Sequence, residues 1–171
     1  MTDDTQARLD RLEAQLQRAT DELDIIKLLA RYGPAADSAD QPAYSRLWAD
    51  GGGLNSPVHG LIPQERVMSD ELHLKLCEDG AAHVPSIPFI RIDGDTAVAY
   101  HYHRVYVPGP ETKYFSTKGA VVARLAYIRN DLVRTPAGWR LQRRTSIALA
   151  GDQTKDAQQL MVEASEAGAR D

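Results

Sequence analysis

Cysteine is almost missing from this chain: Cys77 stands alone among 171 residues. A single thiol cannot close an intramolecular disulfide, so a reducing compartment, the cytoplasm, is expected. Long hydrophobic runs are missing too. None reaches the ~18 apolar residues that a bilayer-spanning helix needs, and the stretch 1–10 is polar and acidic, unlike a secretory leader. Nor is there an excess of positive charge. Twenty Lys and Arg face 24 Asp and Glu, a formal net charge of −4, and the basic residues are scattered. Neither a nucleic-acid footprint nor a membrane partner is expected. The run Gly51-Gly52-Gly53 lacks the strand-to-helix setting and the lysine of a phosphate loop, so no nucleotide site is read there.

What remains is an ordinary globular composition, 43% apolar and 26% charged. Its length suits one domain that buries about two-thirds of the unfolded chain's surface. Residues 7–31 read as one helix, because Leu9, Leu12, Leu16, Ala19, Leu23 and Ile26 recur at alternating spacings of three and four. That is the a/d seam of a heptad repeat. It fits a helix lying on its own domain and equally a short coiled coil between molecules. Gly33-Pro34 predicts a kink, with helix resuming over 35–39. Asp40 predicts an N-cap for a helix over 41–49, with Tyr44, Leu47 and Trp48 turned inward. The three glycines predict a flexible loop, followed by a short strand near 54–58. Pro63 opens a helix over about 63–78, on which Cys77 reads as a small hydrophobe.

The second half is strand-rich. A strand over 88–93 leads into the hairpin signal Asp93-Gly94-Asp95. A long strand, 96–107, follows, with Val98, Tyr100, Tyr102 and Tyr106 on one parity and Ala97, Ala99, His101, His103 and Val105 on the other. Tyr106 and Tyr114 flank a proline-rich loop, 108–113, that could gate a cavity mouth. A bent strand spans 114–133, a turn sits at Pro136-Ala137-Gly138, and the last strand spans 139–149. Helices first and a strand meander after predict an α+β domain whose curved antiparallel sheet and N-terminal helices enclose a conical pocket. The expected division is a helical extension over 1–22, the domain over 23–150 and a polar tail over 151–171.

Four stretches resemble the SnoaL-like family of the nuclear transport factor two fold. They are Leu28-Leu29-Ala30-Arg31-Tyr32 with Ala36-Asp37-Ser38-Ala39-Asp40; Tyr44 with Leu47-Trp48-Ala49-Asp50; His83 with Ile90 to Ala97; and Gly138-Trp139-Arg140-Leu141 with Arg143-Arg144. The resemblance covers roughly residues 20–150. It implies a pocket in which Asp37 and His83 form a catalytic pair, as in the dehydratase and dehydrochlorinase members. Arg143 or Arg144, and we select Arg144, takes the place of a last-strand arginine that meets developing negative charge. Tyr32, Trp48, Tyr100 and Tyr102 are the expected substrate-binding residues. The chain departs from scytalone dehydratase at Ala36 and Gly53-Leu54-Asn55, where that enzyme has tyrosines. Its second pocket histidine is expected to be replaced by an aliphatic residue near Ala120 to Val122.

Read as chemistry, an imidazole is the natural proton carrier near neutral pH, and a carboxylate on its other nitrogen fixes the tautomer. The expected protein is therefore a cofactor-independent lyase or isomerase, acting on a small apolar cyclic substrate and assembling as a homodimer. Two other readings stay open. One is a non-catalytic carrier of a small hydrophobic ligand; the other is an assembly module with a vestigial pocket. His101 and His103, two residues apart on one strand face, could chelate a metal, but no third ligand is apparent.

Overall fold

A computed structural model describes residues 2–56, 60–112 and 118–168. Tyr114 and positions 57–58 of the expected early strand lie outside the described residues. The elements, in chain order, are helices α1 (Thr2–Ala30), α2 (Tyr32–Asp37) and α3 (Gln41–Ser45), then strands β1 (Trp48–Ser56) and β2 (Gly60–Pro63), then helices α4 (Gln64–Val67) and α5 (Glu71–Glu78). Strands β3 (Ala82–Pro85), β4 (Phe89–Asp93), β5 (Thr96–Glu111), β6 (Lys118–Thr135) and β7 (Gly138–Ala148) follow, and helix α6 (Thr154–Gly168) is the last described element. The strands form one sheet in the order β2-β1-β7-β6-β5-β3, with β4 also paired to β5. This is the expected α+β architecture with one amendment. β1 joins β7 in parallel, so the sheet is mixed.

The main core lies between the first helices and one face of the sheet. Ile25, Leu28 and Leu29 of α1, Tyr32 of α2 and Tyr44 of α3 pack there against Ala97, Ala99, Leu132 and Leu141. Asp40 does cap α3: its carboxylate accepts from the Ala43 N–H at 2.9 Å. The helix expected over 41–49 is nevertheless cut short, because the turn at Leu47 already accepts the Leu141 N–H and β1 begins at Trp48, in register with Leu141. The three glycines sit inside β1 rather than in a loop. A Cβ on Gly53 would stand 2.3 Å from the Ile62 carbonyl oxygen, and one on Gly52 would stand 2.9 Å from that of Leu141. Only glycine lets the strands approach so closely. The helix expected over 63–78 is two helices, because Asp70 starts α5 afresh by capping the His73 N–H at 2.9 Å.

One further feature differs from expectation. The chain after residue 150 is not simply a polar tail: Ala157, Leu160 and Ala164 of α6 are buried against Tyr100, Tyr127 and Ile147 on the opposite sheet face. The first helix, by contrast, is continuous to Ala30, as the pattern over 7–31 predicts. It is pinned to the sheet by Asp21, whose carboxylate accepts from Arg134 Nη1 and Nη2 at 2.6 and 2.7 Å and from the Trp139 indole at 3.0 Å. Arg134 in turn lies over the Trp139 ring at 4.4 Å.

The Arg134 hydrogen bonds, outweighing the effect of burial, hold the Asp21 carboxyl down at about 2. A carboxylate with a lowered folded-state pKa stabilises the fold above its unfolded value and loses that contribution as pH falls through the folded one. Asp21→Asn is expected to cost about 2 kcal/mol at pH 7, typical of hydrogen bonds to charged groups. The difference in melting temperature from wild type should shrink between pH 4 and pH 2. A difference that stays constant over that window would remove the ion pair as its cause.

Candidate active site

Asp37 and His83 come together across the helix–sheet boundary. Asp37 is the last residue of α2, and His83 lies on β3, in register with Val105 of β5. One carboxylate oxygen, Oδ2, accepts the His83 backbone N–H at 2.9 Å, and the other, Oδ1, meets ring Nδ1 at 2.5 Å. A carboxylate only accepts, so Nδ1 carries a proton, and in the neutral ring that tautomer leaves the lone pair on Nε2. Gly33 makes the approach possible, since a Cβ there would come within 2.3 Å of the His83 carbonyl oxygen.

Arg144 occupies the far side of the same cavity and is 2% exposed. The neighbouring Arg143 is exposed. Strict alternation from the inward Trp139 and Leu141 would have turned Arg143 inward instead. The register shift between β6 and β7, where Asp131 faces Arg143 and Leu132 faces Leu141, inserts one residue, Gln142, and hands the inward position to Arg144. A bulge that re-aims one side chain is a recurrent device beside functional sites. Arg144 Nη1 donates to Asn130 Oδ1 at 2.8 Å and to His101 Nε2 at 3.3 Å, and Nη2 donates to His103 Nδ1 at 3.1 Å. Its carbon sits 4.0 Å above the Tyr32 ring. Among the described residues no carboxylate pairs with it.

A guanidinium only donates, so both histidine nitrogens that face it are acceptors. His101 therefore bears its proton on Nδ1, bonded to the Tyr102 carbonyl at 2.9 Å. His103 bears its proton on Nε2. Burial, and then the Arg144 charge, push His101 down to about 3 and push His103 down further. The His103 ring lies 5.5 Å from that of His83. A lone-pair nitrogen and a neutral N–H donor thus belong to adjacent rings at one cavity.

The cavity holds about 220 Å³, with Tyr32, His73, His83, His103, Arg124 and Arg144 among its polar lining and Leu54, Ile62, Val67 and Val105 as its apolar wall. It shares Leu54, Ile62, Val67 and His73 with an outer groove of about 760 Å³ between β2 and α5. His73 Nε2 donates to the Ala36 carbonyl at 3.0 Å, and burial pushes its pKa down. Cys77 gives its S–H to the same carbonyl at 3.2 Å, and burial pushes the thiol up, which favours an inert role.

Of the residues singled out in the sequence, the structure brings together Asp37, His83, Arg144 and Tyr32. Trp48 packs on Tyr44 at 5.7 Å, in the core rather than on the cavity wall. Tyr100 and Tyr102 lie on the opposite sheet face. Tyr100 is buried beneath α6, and Tyr102 reaches Met161 Sδ at 3.9 Å. Their parity excludes them: the inward parity of β5 is that of His101 and His103. His103, not a residue near Ala120 to Val122, therefore supplies a second pocket histidine. Asn130 and Arg124 also went unnoticed, because an isolated Asn or Arg on a strand carries no signal of its own. The two histidines do not make a metal pair, because Arg144 stands between them, and no group of three metal-binding side chains is found among the described residues.

The lowered histidines make acid stability a test. Between pH 6.5 and about 3 the unfolded chain binds protons at residues 101 and 103 that the folded protein refuses, so stability falls as pH falls. Each ring should contribute a slope of about 1.4 kcal/mol per pH unit. As pH falls from 7.5, denaturation should show the slope set in near 6.5 and reach that value below about 5.5, and His103→Gln should remove one ring's share. Ring resonances of His101 or His103 that titrate near neutral pH would refute the assignment.

A profile of the SnoaL-like domain matches residues 17–145. An NTF2-like protein with a cystatin-like fold from Novosphingobium aromaticivorans is similar in structure at a TM-score of 0.77 and 31% identity, over 89% of this chain and 96% of that one. An NTF2-like family protein from Streptomyces avermitilis, provisionally described as a dehydratase, superposes at a TM-score of 0.61 and 17% identity, over 78% and 99% of the two chains. A Novosphingobium aromaticivorans protein provisionally described as an aromatic ring hydroxylase gives 0.60 and 21%, over 78% and 92%. No curated protein matches at a significant level. With the matched profile covering most of its length, the chain belongs to the SnoaL-like family of the NTF2-like fold.

Proposed function

We propose that the protein is a cofactor-independent lyase or isomerase that acts on a small, largely apolar cyclic substrate by proton transfer through His83. The observation that carries this reading is the double engagement of Asp37, which holds both the backbone N–H and the ring Nδ1 of one histidine. That grip leaves Nε2 as a fixed base and stabilises the imidazolium that forms when it takes a proton. His103 Nε2–H is the complementary donor, polarised through its other nitrogen by Arg144. Negative charge that develops on a substrate oxygen or leaving group meets this N–H and the guanidinium behind it.

In an elimination, His83 takes the proton from the carbon beside the leaving group. The C–H electron pair forms the double bond, and the leaving group departs with its own bonding pair. Where that group is hydroxide, the proton on His83 is returned to it and water leaves. In an isomerisation the proton goes back to a different carbon. A cavity of about 220 Å³ suits one ring or two, with larger substituents reaching the outer groove. The likeness to proteins described as a dehydratase and a ring hydroxylase is compatible with a hydroxylated cyclic substrate. Among the described residues no helix is long and apolar enough to cross a membrane. Cys77, held as a thiol, suits the reducing cytoplasm, where we place the protein.

The test begins with native mass spectrometry of the purified protein to identify what occupies the cavity, followed by turnover of that compound and its hydrated or isomeric relatives. His83→Ala should lower kcat by about 100- to 10,000-fold, the usual share of a positioned base. Asp37→Asn should lower kcat with little change in KM, since the amide cannot stabilise the imidazolium. Full turnover by His83→Ala would end the catalytic reading. Retained binding with no turnover by the wild type on any such compound would favour a carrier.

A further inference from the structure

The apolar seam of α1 is left uncovered by the protein's own body. Leu9, Leu12, Leu16, Leu23 and Ile26 are between 41% and 69% exposed, and every residue from 4 to 20 is exposed. At 1.5 Å per residue those positions form a helix about 25 Å long. A solitary helix of that length is marginal in water even for favourable sequences. In heptad terms, with Leu9 at a, the seam reads Leu9 (a), Leu12 (d), Leu16 (a), Ala19 (d), Leu23 (a) and Ile26 (d). Asp21, Ile25, Leu28 and Leu29, which dock α1 on its own sheet, fall at f, c, f and g. The f and c positions lie on the far side of the helix from a and d, and Leu29 at g lies beyond the last seam residue, Ile26. Docking and the seam therefore do not compete. The same helix can hold its body on one side and a partner on the other.

We propose that the partner is α1 of a second copy of this chain, joined in parallel and in register as a short two-stranded coiled coil. Charge selects this arrangement. In a parallel pair each g residue faces the e residue of the partner's next heptad. Arg8 then faces the partner's Glu13, Glu22 faces the partner's Lys27, and Gln15 faces the partner's Thr20. Both charged pairs are of opposite sign and no like charges meet. An antiparallel pair sets g against g and e against e. With the same six apolar layers it would oppose Glu13 to Thr20 and Gln15 to Glu22, and no opposite charges would match. Three heptads alone bind weakly, but α1 is already held straight at its base by the Asp21–Arg134 pair. Part of the ordering cost of pairing has therefore been met in the monomer. The inference does not depend on the chemistry of the cavity.

Sedimentation of the full-length protein at micromolar concentration should show a dimer. Leu12→Asp/Leu16→Asp should reduce it to a monomer whose globular part melts at the wild-type temperature, because neither residue touches the core. In a Cys77→Ser background, Leu12→Cys should form a disulfide-linked dimer on mild oxidation, since identical d residues meet across a parallel coil. An antiparallel pair would hold the two positions about 16 Å apart. Glu13→Arg should weaken association several-fold, and Arg8→Glu in the same chain should restore it. A monomeric wild type, a dimer that survives Leu12→Asp/Leu16→Asp, or failure of Leu12→Cys to cross-link would each overturn the proposal.

Discussion

One carboxylate, at the end of a six-residue helix, sets the position of the imidazole at the cavity. Asp37 accepts two hydrogen bonds from a single residue, one from its backbone and one from its ring. The backbone bond places β3 against α2, and the ring bond points the imidazole. Because β3 is hydrogen-bonded to β5, fixing His83 opposite Val105 also fixes how far it stands from His103. The approach is close enough that Gly33 has no room for a side chain. Geometry at the site is thus specified by contacts between rigid elements rather than by loops, which favours a pre-organised base.

The second constraint is a buried positive charge without a negative partner among the described residues. Removing a guanidinium from water costs several kcal/mol, and neutral acceptors recover only part of it. Asn130, His101, His103 and the face of Tyr32 form the cradle. Burial pushes Arg144 itself downward, yet an arginine keeps its proton. The consequence reaches the neighbouring rings, which are forced to stay neutral and to turn their lone pairs toward it. A site that stores unfavourable electrostatics in the free protein can release it when an anion forms there, and this is how a fold can give up stability for function.

The meeting of Asp37 with His83 was legible because each sits in a short local pattern, the kinked helix and the residue before the hairpin, whose order along the chain is that of the family. Asp40 as a helix cap and Asp93-Gly94-Asp95 as a turn were legible for the same reason: their chemistry is completed within a few residues. His101 and His103 were not. Both faces of β5 are buried over part of its length, one under the first helices and one under α6, so alternation separates two faces without saying which holds the cavity. The tyrosine face looked the better lining and is the one α6 covers.

Periodicity, turn chemistry and the order of helices and strands determined the class of fold and the long helix at its start, while the pair Asp37 and His83 was implied by the resemblance to the family. The first two are properties of neighbours in sequence, where rise per residue and backbone sterics leave few choices. Tertiary structure alone decided the parallel β1–β7 pairing, the bulge that turns Arg144 inward and exposes Arg143, Gly52 and Gly53 as points of strand contact, and the docking of α6. Each depends on which strand lies alongside which, and a one-residue offset in a strand reverses its faces. Such an offset is settled only when distant parts of the chain are packed together, so nothing local to Gln142 or Gly53 could have announced it.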